Sequence, residues 1–466
     1  MRKKIVIAGL CALALLAGAA AVPAQIMGLY YQEVERDGRV YVFNTPERFK
    51  SFMESGEIGT AVTLIGKAEG GKTLVAENET AIDLYLFKHD LPGYERTTPK
   101  PEKKFDDRVY WKDGKTTIEM KAGKVAISNR VQMRYTYFDA ADPATEDRGT
   151  FNIRRAKTAI EAESSDKKWK FKLQANWVGA GYLTGASLVT STSPLLSTTV
   201  RRGPELEDAE LWYQPSSSMF KVWVGQGKVP FSRQEYTSSG RQQFVDRWVG
   251  NALYAPGRDQ GVRIEGQNES KTFEYAVGVY NGIARNINVN DNDDYLYSGR
   301  VVWTPFGEYK LEESSLDYPD SPKLALGLAA LENTVGLGAS AIDVSRLGYE
   351  IAFKWKGFNA QGEYFDESAE RAGVDSDNKG YYIQAGYLFP NKKFELAARL
   401  ENIERDQAFN VSNLANGLKD FEGTGFGLNY YFGKHVNKLQ ADYFTYEDKI
   451  SGRELTDIRL QLQVIF

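Results

Sequence analysis

The chain has one cysteine and two histidines in 466 residues. Cys11 lies in the apolar N-terminal stretch, with no small residue before it of the kind a lipoprotein site needs. Once that stretch is cut away no thiol remains, which excludes disulfides and cysteine-based metal sites. His89 and His435 stand far apart and outside any zinc-protease pattern, and His435 falls in an expected turn where a solvated ring is the reading. No Gly-x-Ser-x-Gly elbow occurs. Gly225-Gln-Gly-Lys228 lacks the spacing of a phosphate-cradling loop, and no helix pattern follows Gly423-Thr-Gly-Phe-Gly427, which reads as strand glycines. Asp291, Asp293 and Asp294 fall short of a calcium ligand set and read as a wet acidic loop. The formal charge is −4, with no basic stripe for nucleic acid. These absences leave no catalytic residue, no cofactor and no metal site, and point away from an enzyme. A lipase in particular would need a serine and histidine together near a membrane rim.

Long apolar runs are missing too. After residue 24 nothing approaches the roughly 20 residues of a spanning helix, and mean hydropathy is −0.45. That average is no argument against a membrane barrel, whose lipid face is hidden in alternation.

What is present begins with residues 1–24. Arg2, Lys3 and Lys4 precede an apolar stretch from Ile5 to Ala20, and Val22-Pro23-Ala24 offers small residues before a cut at Gln25. This reads as a secretory signal. Aromatics reach 13%, with 27 Tyr and 8 Trp, side chains that favour membrane–water boundaries. The last ten residues, Asp457-Ile-Arg-Leu-Gln-Leu-Gln-Val-Ile-Phe466, alternate strictly. Ile458, Leu460, Leu462, Val464 and Phe466 share one face; Arg459, Gln461 and Gln463 share the other. Such an ending suits the closing strand of an outer-membrane barrel.

Residues 25–105 differ in pattern and are expected to form a small periplasmic α+β segment. Thr45 and Pro46 open a helix that Gly56 ends, with Phe49, Phe52 and Met53 as its core stripe. A second helix starts after Asn78 and runs to about Lys88, and Thr97–Lys104 reads as a linker. From Val125 on, sixteen strand segments are predicted: 125–138, 150–163, 168–177, 205–214, 220–230, 260–267, 273–282, 294–305, 322–333, 346–356, 358–367, 379–389, 394–404, 423–433, 437–448 and 454–466. Short links alternate with long ones (178–204, 231–259, 334–345, 368–378 and 405–422), the rhythm of tight periplasmic turns and larger outer loops. Gly307–Ser321 breaks it, and is expected to cover an edge or extend into the periplasm. The fold class is therefore all-β, a transmembrane antiparallel β-barrel of about 16 strands over residues 106–466. Hydrocarbon offers no partner to backbone amides, so the sheet must close.

A barrel of this size holds water and is narrowed by an inward loop. Phe231–Asp259 is the candidate: Arg233, Arg241, Arg247 and Arg258 stand against Glu235, Asp246 and Asp259. Lys228, Arg233, Arg241, Arg247, Arg258 and Arg263 are the expected constriction and anion path. Lys168, Lys170, Lys172, Arg300, Lys354, Lys356, Arg399 and Arg459 are further lumen cations, facing inward with Glu265, Glu350, Glu395 and Asp442. Basic rings favour anions. The competing reading is a scaffold barrel sheathing a partner such as a cytochrome.

Several motifs carry a family likeness. They are Phe151-Asn-Ile-Arg-Arg-Ala156, Lys170-Phe-Lys-Leu-Gln174, Leu206-Glu-Asp-Ala-Glu-Leu-Trp-Tyr213, Val224-Gly-Gln-Gly-Lys-Val-Pro-Phe-Ser232, Tyr236-Thr-Ser-Ser239 and Arg258-Asp-Gln-Gly261. Together they resemble the phosphate-selective porin O and P family over roughly 105–466, most strongly between 150 and 285. The resemblance implies a homotrimeric, water-filled porin in outer-membrane lipid of a Gram-negative bacterium, with a preference for anions or phosphate. Members of that family line the passage with dense arginine and lysine, whereas here the chain is acidic overall and the loop only weakly basic.

Overall fold

A computed structural model describes residues 30–94, 108–139, 147–178, 204–215, 218–406, 420–450 and 452–466. Residues 1–24, expected as a secretory signal, Thr97–Lys104, expected as a linker, and most of the expected links 178–204 and 405–422 lie outside these. The chain divides into two compact units, Met1–Lys103 and Lys104–Phe466.

In the first unit, strands β1 (Gln32–Arg36), β2 (Arg39–Phe43), β3 (Val62–Leu64) and β4 (Thr73–Ala76) form one sheet in the order β1-β2-β4-β3. Helix α1 (Pro46–Ser55) follows β2, and helix α2 (Glu79–Lys88) follows β4. Pro46 takes the first helical position, where its missing N–H costs nothing. Gly56, at φ 77°, ends α1 in the left-handed conformation. The Asn78 side chain caps α2 by accepting from the Ala81 N–H. Of the expected stripe on α1, Phe52 is buried, Phe49 is half-buried and Met53 is exposed, because the sheet contacts only one turn's width of that helix.

In the second unit, β7 (Gly123–Asp139), β8 (Arg148–Ser164), β9 (Trp169–Asn176), β10 (Glu205–Tyr213), β11 (Lys221–Lys228) and β12 (Arg258–Gln267) run antiparallel, each against the next. The series goes on through β13 (Phe273–Tyr280), β14 (Leu296–Trp303), β15 (Lys323–Val335), β16 (Ile342–Trp355) and β17 (Phe358–Arg371). It ends with β18 (Val374–Leu388), β19 (Phe394–Arg405), β20 (Phe421–Gly433), β21 (Asn437–Asp448) and β22 (Arg453–Ile465). Strand β22 pairs back onto β7, Ile465 opposite Arg130 and Thr456 opposite Asp139, and closes a 16-strand antiparallel barrel. Each expected strand segment coincides with one of these. A hairpin not expected from the pattern, β5 (Val109–Lys112) and β6 (Lys115–Met120), pairs with the start of β7, where β22 no longer reaches.

Dyad alternation decides which face meets lipid. Trp169, Trp303, Trp355, Phe358, Phe394 and Phe466 lie exposed near the end with short turns. Tyr349, Tyr364 and Tyr381, paired directly across three strands, form part of a second row. Between these levels sit outward Ile351, Ile383, Leu396 and Leu400. Two such rows bounding an apolar band are the pattern of a transmembrane barrel. Ala398→Arg, on the outward face midway between Phe394 and the Tyr381 level, is expected to cost about 2–4 kcal/mol, the scale for a basic residue at the midplane lipid face. Unfolding of the refolded protein in lipid vesicles measures it, with Arg at the exposed loop-end position Glu404 as the control.

Three links differ from expectation. The 368–378 stretch is mostly strand: β17 and β18 meet in a two-residue turn at Ala372 and Gly373, both at positive φ. Beyond the membrane both faces of a hairpin are wet, so alternation vanishes while pairing continues. The link after β15 likewise shortens to residues 336–341. Gly307–Ser321 neither covers an edge nor projects away. It turns into the lumen, where Glu313, Ser314 and Ser315 are buried. His435, expected in solvent, is also buried in its turn.

Candidate functional site: a constricted lumen

The link from β11 to β12 folds into the barrel and crosses it. The sequence permits this locally. In Val224-Gly-Gln-Gly-Lys228, Gly225 has φ 131°, and a Cβ there would lie 2.1 Å from the Ala209 carbonyl oxygen. Across the lumen, a Cβ on Gly386 would lie 2.0 Å from Gln243 Nε2. Gly225 thus serves close pairing with β10, while Gly386 makes room for the loop side chain Gln243, as Gly380 does for Tyr254.

One side of the loop is fastened to carboxylates on the wall and on the inward 307–321 segment. Glu363 accepts from the Arg233 N–H (2.6 Å) and the Gln234 N–H (2.9 Å), the orphan donors at the start of a single helical turn, α3 (Arg233–Tyr236). Glu313 accepts from the Gln243 N–H (2.7 Å), Asp442 from Val245 N–H (3.0 Å) and Glu401 from Val249 N–H (2.6 Å). Charge-assisted bonds to backbone fix a loop's height without regard to its side chains. Aromatic packing seals the same side: Trp248 stacks with Tyr254 and Phe365 of β17, and Phe244 meets Phe444 of β21 edge-on. A second turn, α4 (Asn251–Tyr254), completes the loop.

The other side faces β7, β8 and β9, and here the wall is basic. Asp246 of the loop is held by Arg134 at 2.6 Å, Arg154 at 3.2 Å and Arg155 at 3.3 Å. Arg130 donates to the hydroxyls of Ser238 (3.1 Å) and Ser239 (2.9 Å). Between loop and wall lies a cavity of about 480 Å3. Ten lysines and arginines line it against five carboxylates. A second space of about 500 Å3, toward the turn end, shares Arg130, Lys157, Lys172, Gln174 and Ser238 with the first. The two spaces therefore adjoin.

Most of these cations already share a carboxylate. Lys157 pairs with Glu207, Lys172 with Asp208 (2.5 Å), Arg258 with Asp208 (2.6 Å) and Arg263 with Glu265 (2.6 Å). In the loop, burial would raise the Glu235 carboxyl, but the charges of Arg247 and Lys228 outweigh it and push it down to about 2. Asp246 follows the same logic. Burial opposes ionisation, yet three guanidiniums hold it well below the usual carboxylate range.

The structure distributes the expected residues over different places. Lys228, Arg247, Arg258 and Arg263 line the cavity. Lys228 Nζ donates to the carbonyls of Glu235 (2.5 Å) and Thr237 (3.0 Å), and Arg247 donates to those of Gln234 and Glu235, so both also shape the loop. Arg241 is exposed in the second space. Arg233 is elsewhere: it lies behind the loop, 3.5 Å from Glu350 and over the Tyr309 ring. Its position in α3 points it at the wall that anchors the loop, not at the passage. Arg300, Lys354, Arg399 and Arg459 are likewise buried against loop or wall. Lys356 sits exposed in its turn, whereas Lys168 and Lys170 line a space toward the turn end together with Lys172 and Glu265.

Arg130, Arg154, Arg155 and Lys157 were not among the expected cations. Alternation with Val131, Met133 and Tyr135 marks Arg130 and Arg134 as inward. Arg154 and Arg155 are adjacent, which alternation would send to opposite faces. A register shift of β8 against β7, skipping Arg154, lets both reach the lumen.

A closed barrel with a lipid-facing outside, an inward loop and a wet, charged passage defines an outer-membrane porin. The family model for phosphate-selective porin O and P matches residues 125–466, and the chain belongs to that family. An uncharacterized protein of Aquifex aeolicus (strain VF5) is 25% identical over 284 residues, 53% of this chain. The match spans 64% of that relative's length. Among solved structures, the anion-selective porin from Comamonas acidovorans superposes with a TM-score of 0.52 at 12% identity, covering 74% of this chain and 100% of that one. OmpT of Vibrio cholerae gives a TM-score of 0.48 at 11% identity, over 74% of this chain and 100% of that one.

Proposed function

We propose that the channel passes small hydrophilic solutes by passive diffusion and favours anions, including oxyanions such as phosphate. The observation that carries this is the imbalance of charge around the passage: ten cationic side chains against five carboxylates. A guanidinium meets two oxygens of an oxyanion at once. The interleaved Glu207, Asp208 and Glu265 keep that attraction shallow, so an anion can leave as well as enter. The weak basicity of the loop is no obstacle, because the wall of β7, β8 and β9 supplies the charge. The same reading places the barrel as a homotrimer in outer-membrane lipid, with the unit from residue 25 to 105 in the periplasm. A scaffold that sheaths a cytochrome fits poorly, since loop and turn segments enter the lumen and the two spaces beside them, about 480 and 500 Å3 among the described residues, are of the size of small solutes.

Planar-bilayer recording of the purified protein under a potassium chloride gradient tests the proposal. The reversal potential is expected to carry the sign of chloride, and added phosphate is expected to reduce the chloride current. A potential of the opposite sign would refute the anion preference; a silent membrane would refute the channel.

A further inference from the structure

We infer that Glu313, on the inward segment between β14 and β15, sets the width of the passage by fixing the height of the constriction loop. The inference rests on the channel reading and concerns its aperture rather than its charge preference. The carboxylate is 2% exposed, and no lysine or arginine is paired with it among the described residues. Its donors are all neutral and come from three elements. Gln234 Nε2 (3.1 Å) and the Gln243 N–H (2.7 Å) belong to the loop, Gln361 Nε2 (3.3 Å) to β17 and Gln384 Nε2 (3.1 Å) to β18. Two donors converge on each carboxyl oxygen, so both oxygens accept from loop and wall at once. The segment is itself fixed: Ser314 Oγ donates to Glu395 (2.8 Å), and the Glu313 N–H donates to the Arg241 carbonyl (3.1 Å). Glu313 is thus a pin between loop and wall, inserted from the turn end. It takes no part in strand pairing, so the barrel closes without it. It is a positioning residue, acting on solutes through the loop.

Glu313→Gln keeps the shape but puts an amide NH2 where two donors already point. Full-length protein carrying it, compared with wild type in planar bilayers and in liposome swelling with sugars of graded size, is expected to show roughly 1.5- to 2-fold higher conductance and a larger size cut-off. The reversal potential should keep its sign, because the basic wall is untouched. Heat-induced unfolding of the barrel should be unchanged, which a merely structural role would not allow. Should Glu313→Gln fail to assemble, Gln384→Leu removes one donor, keeps the carboxylate, and is expected to move conductance the same way by less. Wild-type conductance and cut-off in the variant that folds would overturn the inference while leaving the channel standing. A wild-type chain that conducts nothing would overturn both.

Discussion

Replacing Arg130, Arg155 and Lys157 by glutamine together is expected to cut the anion preference sharply, moving the reversal potential of the channel in a salt gradient toward zero. The three line the stretch beside the loop, and Arg130 and Lys157 also face the second space. An ion about 7 Å from a charge in a water-like medium feels about 0.6 kcal/mol. Three charges removed therefore alter the balance by about 1.8 kcal/mol, more than tenfold in relative partition. The substitutions free little compensating negative charge. Glu207 keeps Arg258 at 3.5 Å, Asp246 keeps Arg134 and Arg154, and the described partners of Arg130 are hydroxyls. In the wild type the preference should weaken toward 1 M salt, where screening acts within about 3 Å. An unchanged potential in the triple variant would locate the filter away from this wall.

The strands were legible because lipid imposes a dyad and turns impose their own chemistry. Lys356 and Gly357, both at positive φ, make the tight reversal that the short link between β16 and β17 required. Residues 368–378 misread as a long loop because above the membrane nothing distinguishes the two faces of a hairpin. The site was legible only in part, for a related reason. Alternation tells lumen from lipid, but it does not tell the open lumen from the lumen filled by a loop. Arg233, Arg258 and Arg399 all point inward, yet only Arg258 reaches the passage. Which inward cations stay wet depends on where the loop lies, and that depends on Glu313, Glu363, Glu401 and Asp442, three of them on distant strands. The wall's arginine pair depended on one skipped residue in β8 that no periodicity reveals.

Asp246→Asn is expected to release the loop from the basic wall while strengthening the anion preference, two effects of opposite sign from one lost charge. Asp246 is the loop's charged anchor on that side, beside the Arg130 bonds to Ser238 and Ser239; it is 7% exposed and shared by three guanidiniums. Removing one partner from a buried ionic group costs about 3–5 kcal/mol, because the remaining charges stay buried and uncompensated. Here Arg134, Arg154 and Arg155 would also repel each other. The barrel pairing is untouched, so the cost falls on the loop, as local opening. Hydrogen exchange at the Val245 and Val249 amides should quicken by about 100-fold or more on that scale. At the same time the passage gains one net positive charge, and chloride selectivity rises. In the wild type, pH gives the control. The stabilisation from Asp246 and Glu235 is complete above the range where a free carboxylate titrates, and is lost only as pH falls through their depressed values. For Glu235 that window runs from 4.5 down to about 2. The hold of Asp246 and Glu235 on the wild-type loop should therefore be constant from pH 8 to pH 5, conditions under which Asp246→Asn has already lost its share of it. Equal exchange in the two proteins would mean that the carboxylates behind the loop hold it alone, and that the three arginines are there only for the solute.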